Sequence, residues 1–111
     1  MYAVPVRLAL AKHEVPDTLR AIAEPMRWRI INALTQEMLC VCHLVDDLGA
    51  SQPLVSHHIR VLKDAGLIVG TREGPWTYYS LAPGALDRVG HEIAELEPVS
   101  GVSKRTRRAC C

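Results

Sequence analysis

Two short amphipathic segments, separated by a glycine turn, constrain the fold of this chain more than any other feature. Residues 41–48 place apolar side chains at the i, i+3, i+4, i+7 spacing of one helix face. Gly49 suits the left-handed position after a helix, and Ser51 is a favourable N-cap for a second helix over residues 51–66. The inner face of that second helix is formed by Val55, Ile59 and Leu62. This order predicts a helix-turn-helix, although an ordinary helical hairpin has the same pattern.

The residues after this pair favour the more specific interpretation. Residues 67–71 and 76–81 are rich in β-branched and aromatic side chains, and the turn residues 72–75 lie between them. A β-hairpin directly after a helix-turn-helix is the arrangement of a winged helix. We therefore predict a mainly α-helical winged helix-turn-helix domain in which the hairpin is the wing.

Further helices are predicted on both sides of this unit. Residues 17–23 form a short helix, and a second helix begins at Glu24-Pro25 and packs Trp28 inward. A last helix over residues 85–96 carries an apolar seam. The seam consists of Leu86, Val89, Ile93 and Leu96. It suits pairing with a second copy of the chain, together with N-terminal residues such as Leu8 and Leu10, but burial within one copy explains it equally well.

Composition narrows the class of protein. The chain has 111 residues, 49% of them apolar, which indicates one globular domain. No apolar run approaches the ~20 residues of a membrane span, and Arg7 and Lys12 interrupt the mildly apolar start, so we expect a cytoplasmic protein without membrane contact. Net charge is +1, and residues 1–103 alone are acidic. Bulk charge therefore does not argue for nucleic-acid binding, which must rest on the motif.

The chain has four cysteines, and in a reducing compartment these are expected to be ligands or reactive thiols rather than disulfides. Cys40 and Cys42 stand at the head of the first helix of the helix-turn-helix. Thiolates are preferred ligands of soft metal ions and trivalent metalloids. An extended Cys40 would let the two sulfurs converge, and the helix N-terminus would lower both pKa values. The alternative is that both are small buried apolar residues.

Several motifs together resemble one protein family. They are Leu39-Cys40-Val41-Cys42-His43-Leu44, the segment from Ser51 to Ile59, the segment from Leu62 to Ile68, and the hairpin residues Arg72-Glu73-Gly74 and Tyr78-Tyr79-Ser80-Leu81. In this order they resemble the ArsR/SmtB repressors, most closely the arsenic-sensing branch, over about residues 17–97. The resemblance implies a homodimeric repressor that binds an inverted-repeat operator and leaves it when As(III) or Sb(III) binds cysteine thiolates, with no catalytic cofactor.

The resemblance also implies three segments of the chain and a set of metal ligands. Residues 1–16 are an N-terminal arm, 17–97 the DNA-binding and dimerisation domain, and 98–111 a basic tail. The family's box often has a third cysteine where this chain has Val45, and it usually has an acidic residue where this chain has His43. Trivalent arsenic favours three sulfurs, so we expect the third thiolate from Cys110 or Cys111. The tail pair has two alternatives, a separate binding site or no function.

DNA contacts are expected on the second helix of the motif and on the wing. The expected residues are Ser51, Gln52, Ser56, His57, His58, Arg60 and Arg72. The family resemblance also places a basic residue after the wing glycine, where this chain has Pro75.

Alternative functions use the same residues. The same fold could sense cadmium, lead or thiol oxidation, or the thiols could serve a metalloid carrier that never binds DNA. His91, with Asp87, Glu92 and Glu95, would be a metal site on the last helix of the kind that zinc sensors of this family have. The chain contains no recognisable nucleophile, acid–base pair or phosphate-binding loop, so we do not expect an enzyme.

Overall fold

A computed structural model describes residues 14–96, and its elements follow the predicted order. Four helices come first, then a hairpin and a fifth helix. Their bounds are α1 (Asp17–Ile22), α2 (Pro25–Leu34), α3 (Val41–Leu48), α4 (Gln52–Asp64), β1 (Ile68–Glu73), β2 (Trp76–Leu81) and α5 (Ala85–Ala94). The prediction of a mainly helical fold with a β-hairpin is confirmed. Within the described range, no helix is long and apolar enough to span a bilayer.

The core lies where the helices of the motif pack against α2 and the start of the wing. The largest fully buried side chains are Ile30, Leu44, Val55, Leu62 and Leu67. They come from α2, α3, α4 and the residue before β1, so burial of apolar surface fixes the position of the motif on the rest of the domain. The expectation that Trp28 packs inward is wrong, because its side chain is 55% exposed.

The turn between α3 and α4 has the conformation that its residues predict. Gly49 adopts a left-handed backbone with φ of 62°, a conformation that side chains other than glycine rarely adopt. The Ser51 Oγ then accepts a hydrogen bond from the Leu54 N–H at 3.4 Å and caps α4. The turn therefore sets the angle at which α4 leaves α3.

The hairpin is antiparallel and pairs Ile68 with Leu81 at its base and Glu73 with Trp76 at its tip. A further short pairing joins it to the motif, because Leu39 and Tyr79 exchange two backbone hydrogen bonds of 3.1 and 2.8 Å. The residue Leu39, before α3, thus pairs with β2 through a single antiparallel bridge. No local pattern in the sequence predicts this pairing.

Candidate thiol site and nucleic-acid interface

The two thiols of the Cys-X-Cys motif converge at the head of α3. Cys40 is the N-cap residue with an extended backbone, φ −92° and ψ 171°, and Cys42 lies in the first turn. Their Sγ atoms are 2.8 Å apart, longer than the ~2.05 Å of a disulfide bond, and both cysteines are free. Cys40 is buried and Cys42 is exposed, so one sulfur faces the core and the other can be reached from solvent. Cys40 therefore has the extended backbone that the predicted convergence of the two sulfurs requires.

His43 completes the cap of α3. Its Nδ1 accepts a hydrogen bond from the Cys40 N–H at 3.3 Å and lies 3.3 Å from the Cys40 Sγ. The reciprocal pattern, in which the N-cap side chain accepts from the N3 backbone N–H, makes this a capping box. An imidazole thus occupies the position where a capping box usually has Glu or Gln. A change in the charge of Cys40, or a ligand bound to its Sγ, would therefore alter the hydrogen bonds at the N-terminus of α3.

The two thiols differ in acidity. A hydrogen bond from the Cys42 thiol, helped by backbone N–H groups at the helix start, lowers the pKa of Cys40 in spite of its burial. The same hydrogen bond raises the pKa of Cys42, because Cys42 must give up the proton that it shares. The expectation of a lowered pKa is confirmed for Cys40 and wrong for Cys42. The pair gives up one proton readily and holds the second.

A pocket of about 430 Å³ adjoins the thiol pair. It lies between the head of α3, the head of α4 and the wing. Its lining includes both cysteines, Gln52 of α4, and Trp76 and Tyr79 of β2. A group bound at the sulfurs would therefore contact the element expected to read DNA and the wing at the same time.

The outer face of α4 presents the side chains expected to contact DNA. Ser51, Gln52, Ser56, His57 and Arg60 are all exposed, and Arg72 is exposed on β1. On α4, the apolar residues Val55, Ile59 and Leu62 are buried on the opposite face. An exposed polar helix face of this kind fits the major groove of DNA, where base edges can be distinguished.

His58 needs a correction, because it is buried rather than turned toward DNA. Its relative exposure is 7%, and its Nδ1 lies 3.0 Å from Nη1 of Arg27 and 3.7 Å from Oε2 of Glu24. Burial lowers the pKa of His58, and a neutral ring can accept the hydrogen bond from Arg27. A sequence signal was available, since His58 follows Val55 by three residues and so lies on the apolar stripe. His58 ties α4 to the head of α2.

Comparisons with known proteins agree with this architecture. The family described as "Bacterial regulatory protein, arsR family" matches residues 24–69. An uncharacterized HTH-type transcriptional regulator of Methanocaldococcus jannaschii is 31% identical over 81 residues, which are 72% of this chain and 91% of that protein. The chain belongs to the ArsR/SmtB family of transcriptional regulators. In this winged helix-turn-helix regulator, α4 is the second helix of the motif and the hairpin is the wing.

Two further relatives of this ArsR/SmtB regulator carry different functional names. The HTH-type transcriptional repressor SmtB of Mycobacterium tuberculosis is 42% identical over 80 residues, 68% of this chain and 59% of its own length. A crystal structure described as a possible transcriptional regulator for arsenical resistance has 34% identity and a TM-score of 0.68, covering 73% of this chain and 84% of that one. The regulator spans less than two thirds of SmtB. The names of its relatives do not single out an arsenic-sensing branch.

Residues 14–96 do not by themselves form a metal site. No group of three or more His, Cys, Asp and Glu side chains that could hold a metal ion forms there. The alternative site on α5 is not assembled in this range: His91 lies 3.2 Å from Glu95, Glu92 accepts a hydrogen bond from Thr18 at 2.7 Å, and no third ligand joins His91 and Glu95. Cys110 and Cys111, expected to supply the third thiolate, lie outside the described residues, as do Leu8 and Leu10.

The apolar seam of α5 divides into a buried and an exposed part. Val89 is 7% exposed and packs within the core of its own copy, which removes it from the expected dimer contacts. Leu86, Ile93 and Leu96 are 40%, 49% and 75% exposed. The helix ends at Ala94, two residues before the predicted end, so Leu86 and Ile93 lie on α5 and Leu96 lies just after it. Within residues 14–96, these three large apolar side chains are left exposed.

Proposed function

We propose that this ArsR/SmtB regulator is a repressor that binds operator DNA as a dimer and is released when arsenite or antimonite binds Cys40 and Cys42. The observation that carries the proposal is the position of the thiol pair. It heads the helix that supports α4, lines a pocket with Gln52, and follows the residue whose backbone pairs with Tyr79 of the wing. Ligand binding there acts on both DNA-contacting elements.

The proposed DNA contacts are the exposed residues of α4 and the wing. Gln52 offers a bidentate amide of the kind that pairs with adenine, while Ser51, Ser56, His57 and Arg60 reach bases or phosphates. Arg72 on β1 takes a backbone phosphate. His58 is left out because of its burial. Repression then follows from occupancy of the operator by this surface.

The proposed ligand set consists of the Cys40 and Cys42 thiolates, with a third thiolate from Cys110 or Cys111. The lowered pKa of Cys40 favours the first As–S bond, since the thiolate is the attacking species. Forming the bonds must break the hydrogen bond between the two thiols and disturb the cap that His43 shares with Cys40. The shape of the α3 head with ligand therefore differs from the shape without it.

The dimer is proposed to form through the exposed part of the α5 seam. A two-fold operator requires two recognition helices, and one copy supplies one. Replacing Ile93 with Glu would bury a charge in that interface and separate the copies. Analytical ultracentrifugation should then show a monomer, whereas the matched variant His91→Glu, on the polar side of α5, should stay dimeric. An unchanged dimer in Ile93→Glu would place the interface elsewhere.

The direct test is a gel shift on an operator selected from random inverted repeats. Arsenite and antimonite should release the regulator at concentrations at which cadmium and lead do not. Release by peroxide and not by arsenite would favour the second candidate, a repressor that senses thiol oxidation, which the 2.8 Å separation of the two sulfurs supports. A chain that binds arsenite and no operator sequence would be a metalloid carrier.

A further inference from the structure

Among residues 14–96, His58 is the only buried polar or charged side chain. It follows His57, an exposed residue of α4 that is proposed to contact DNA, and the two ring centroids are 5.3 Å apart. The Nδ1 of His58 lies 3.0 Å from Nη1 of Arg27. A titratable side chain inside the domain therefore adjoins the proposed DNA-contacting face of α4.

The Arg27 guanidinium joins His58 to the first two helices. Arg27 lies in the first turn of α2, and its Nε donates a hydrogen bond to the Ala21 carbonyl of α1 at 2.6 Å. Its Nη1 donates to Nδ1 of a neutral His58 ring whose proton is on Nε2. One side chain thus fixes where α4 lies against both α1 and α2.

We propose that Arg27 and His58 are positioning residues for operator binding, and that protonation of His58 releases α4 from Arg27 and weakens the binding of operator DNA. The inference rests on the proposed function in one respect, the contact of α4 with the operator. It does not involve the thiol pair. It adds a second input, the proton, to the helix that contacts DNA.

The charges around His58 act in opposite directions on its protonated form. A protonated ring has no lone pair for the Arg27 N–H and repels the guanidinium 3.0 Å away. Glu24 lies 3.7 Å from the same ring nitrogen and would pair with the cation. In spite of desolvation, backbone N–H groups at the start of α2 lower the pKa of Glu24, so this carboxylate is ionised at mildly acidic pH. Burial lowers the pKa of His58, Glu24 opposes this shift, and Arg27 and His57 add to it.

An open cavity gives the Arg27 side chain a second position. It has a volume of about 290 Å³ and lies between α1, α2 and the end of α4. Its charged lining consists of Asp17, Arg20, Arg27 and Asp64. Asp17 and Arg20 already lie 3.8 Å apart, and Asp64 belongs to α4 itself. A guanidinium that leaves a protonated His58 can therefore turn into this cavity toward the Asp64 carboxylate, while Glu24 pairs with the ring.

These two arrangements predict the direction of the pH dependence. The neutral ring keeps α4 in place, so the operator binds that state more tightly. Affinity is therefore fully present above pH 6.5 and falls as pH drops through the lowered pKa of His58, by at most about tenfold per pH unit for one proton. His57 acts in the opposite sense, because its protonation adds a positive charge beside the DNA phosphates.

The test is operator affinity at pH 7.5 and pH 5.0, measured by fluorescence anisotropy at constant salt with the full-length chain carrying His57→Gln. We expect a loss of roughly threefold to tenfold at the lower pH. Adding His58→Gln gives Arg27 an acceptor that stays neutral, so the affinities at the two pH values should agree. Adding His91→Gln instead, on the exposed part of α5, is the matched control and should keep the loss. Circular dichroism at both pH values verifies that each protein is folded.

A second pair of variants tests the part played by Arg27. Arg27→Met removes the guanidinium and should reduce the loss at pH 5.0, because a protonated His58 then meets no cation. Arg29→Met changes an exposed arginine of the same helix and should keep the loss. The proposal would be overturned by a full loss in Arg27→Met, by equal losses with and without His58→Gln, or by no loss in the His57→Gln chain.

The same samples separate this inference from the proposed function. If arsenite fails to release the operator at pH 7.5 while low pH weakens binding through His58, the arsenite-responsive repressor proposal fails and the role of His58 stands. If arsenite releases the operator and His58→Gln leaves the pH dependence unchanged, the role of His58 fails and the repressor proposal stands.

Discussion

The heads of α3 and α4 are built alike and differ in one atom type. Each helix begins at an extended residue with a short polar side chain, Cys40 with φ −92° and ψ 171° and Ser51 with φ −70° and ψ 153°. Ser51 is exposed and caps with an oxygen that neither ionises near neutral pH nor binds soft metals. Cys40 is buried, caps with a sulfur, and has a second sulfur 2.8 Å away.

The difference between Cys40 and Ser51 indicates how a residue that caps a helix can also supply a reactive group. A cap that accepts backbone hydrogen bonds holds its acceptor atom beside the positive end of a helix, which also favours a thiolate. Replacing oxygen with sulfur at that position keeps the start of the helix and adds a reactive group. In the proposed function, the start of α3 binds the ligand and the start of α4 presents Gln52 to DNA.

The largest predicted effect comes from giving α3 the same oxygen cap that α4 has. Cys40→Ser should keep the α3 cap and operator binding but lose the response to arsenite, and Cys42→Ser should do the same. In the parent protein, a coupling of ~3 kcal/mol would weaken operator binding about 150-fold. Fluorescence anisotropy with labelled operator, with and without arsenite, measures this factor. A serine variant that still responds fully would show that the sensing atoms lie elsewhere.

The tail variants belong to the same measurement. Cys110→Ser and Cys111→Ser together should weaken the response to arsenite if one of these residues supplies the third thiolate. A double variant that responds like the parent protein would show that two thiolates suffice for the switch.

The next prediction tests which side chains of α4 contact operator DNA. Gln52→Ala and His57→Ala should each cost roughly 1–3 kcal/mol in operator binding, the scale of a good base contact. The matched control is His91→Ala, an exposed histidine on α5, which should bind the operator like the parent protein. Near-parental affinity in both α4 variants would mean that another face of α4 meets DNA.

A smaller effect tests the cap of α4 itself. Ser51→Ala removes the acceptor for the Leu54 N–H and should lower the free energy of unfolding by about 1 kcal/mol. Ser56→Ala is the control, because Ser56 is exposed within the same helix and caps nothing. Urea denaturation of both variants measures the difference. Equal stabilities would show that the 3.4 Å hydrogen bond contributes nothing.

The smallest predicted effect concerns the start of α2. Glu24 is the N-cap residue of α2, and its Oε2 lies 3.7 Å from Nδ1 of His58. Burial lowers the pKa of His58 below 6.5, so the unfolded chain binds the proton more tightly than the folded one. The contribution of His58 to the free energy of unfolding is therefore fully present above pH 6.5. It is lost as pH falls through the lowered pKa, with a slope below ~1.4 kcal/mol per pH unit.

Urea titrations between pH 7.5 and 5 check this dependence. His58→Gln should flatten it relative to the parent protein, whereas His57→Gln, on the exposed face of α4, should leave it unchanged. The same slope in all three proteins would assign the dependence to other groups.

Periodicity was sufficient to predict the helices and the wing. The helix start at Pro25, the turn at Gly49 and the cap at Ser51 follow from residues whose conformational preferences are local. Local signals also predicted that Cys40 is extended and that the sulfurs can converge, which the 2.8 Å separation confirms. These features need no knowledge of distant parts of the chain.

The features that the sequence did not reveal depend on contacts between distant segments. Trp28 was expected to pack, but α2 buries Ile30, Ile31 and Leu34, and its neighbours leave Trp28 uncovered. The burial of Val89 depends on how α5 meets the core, which no local pattern specifies. The pocket joins Cys42 and Trp76, 34 positions apart, and only tertiary packing brings them together.

The pairing of Leu39 with Tyr79 has a consequence for amide hydrogen exchange. Both N–H groups are donated across this pairing, at 3.1 and 2.8 Å, so neither can meet solvent unless the thiol segment and the wing separate. The two amides should therefore exchange together, as one opening unit, rather than with their own sequence neighbours. A ligand that pulls the sulfurs away from the wing would raise both exchange rates, and one that clamps them would lower both. The direction of that shared change would tell which of the two motions accompanies the proposed release of operator DNA.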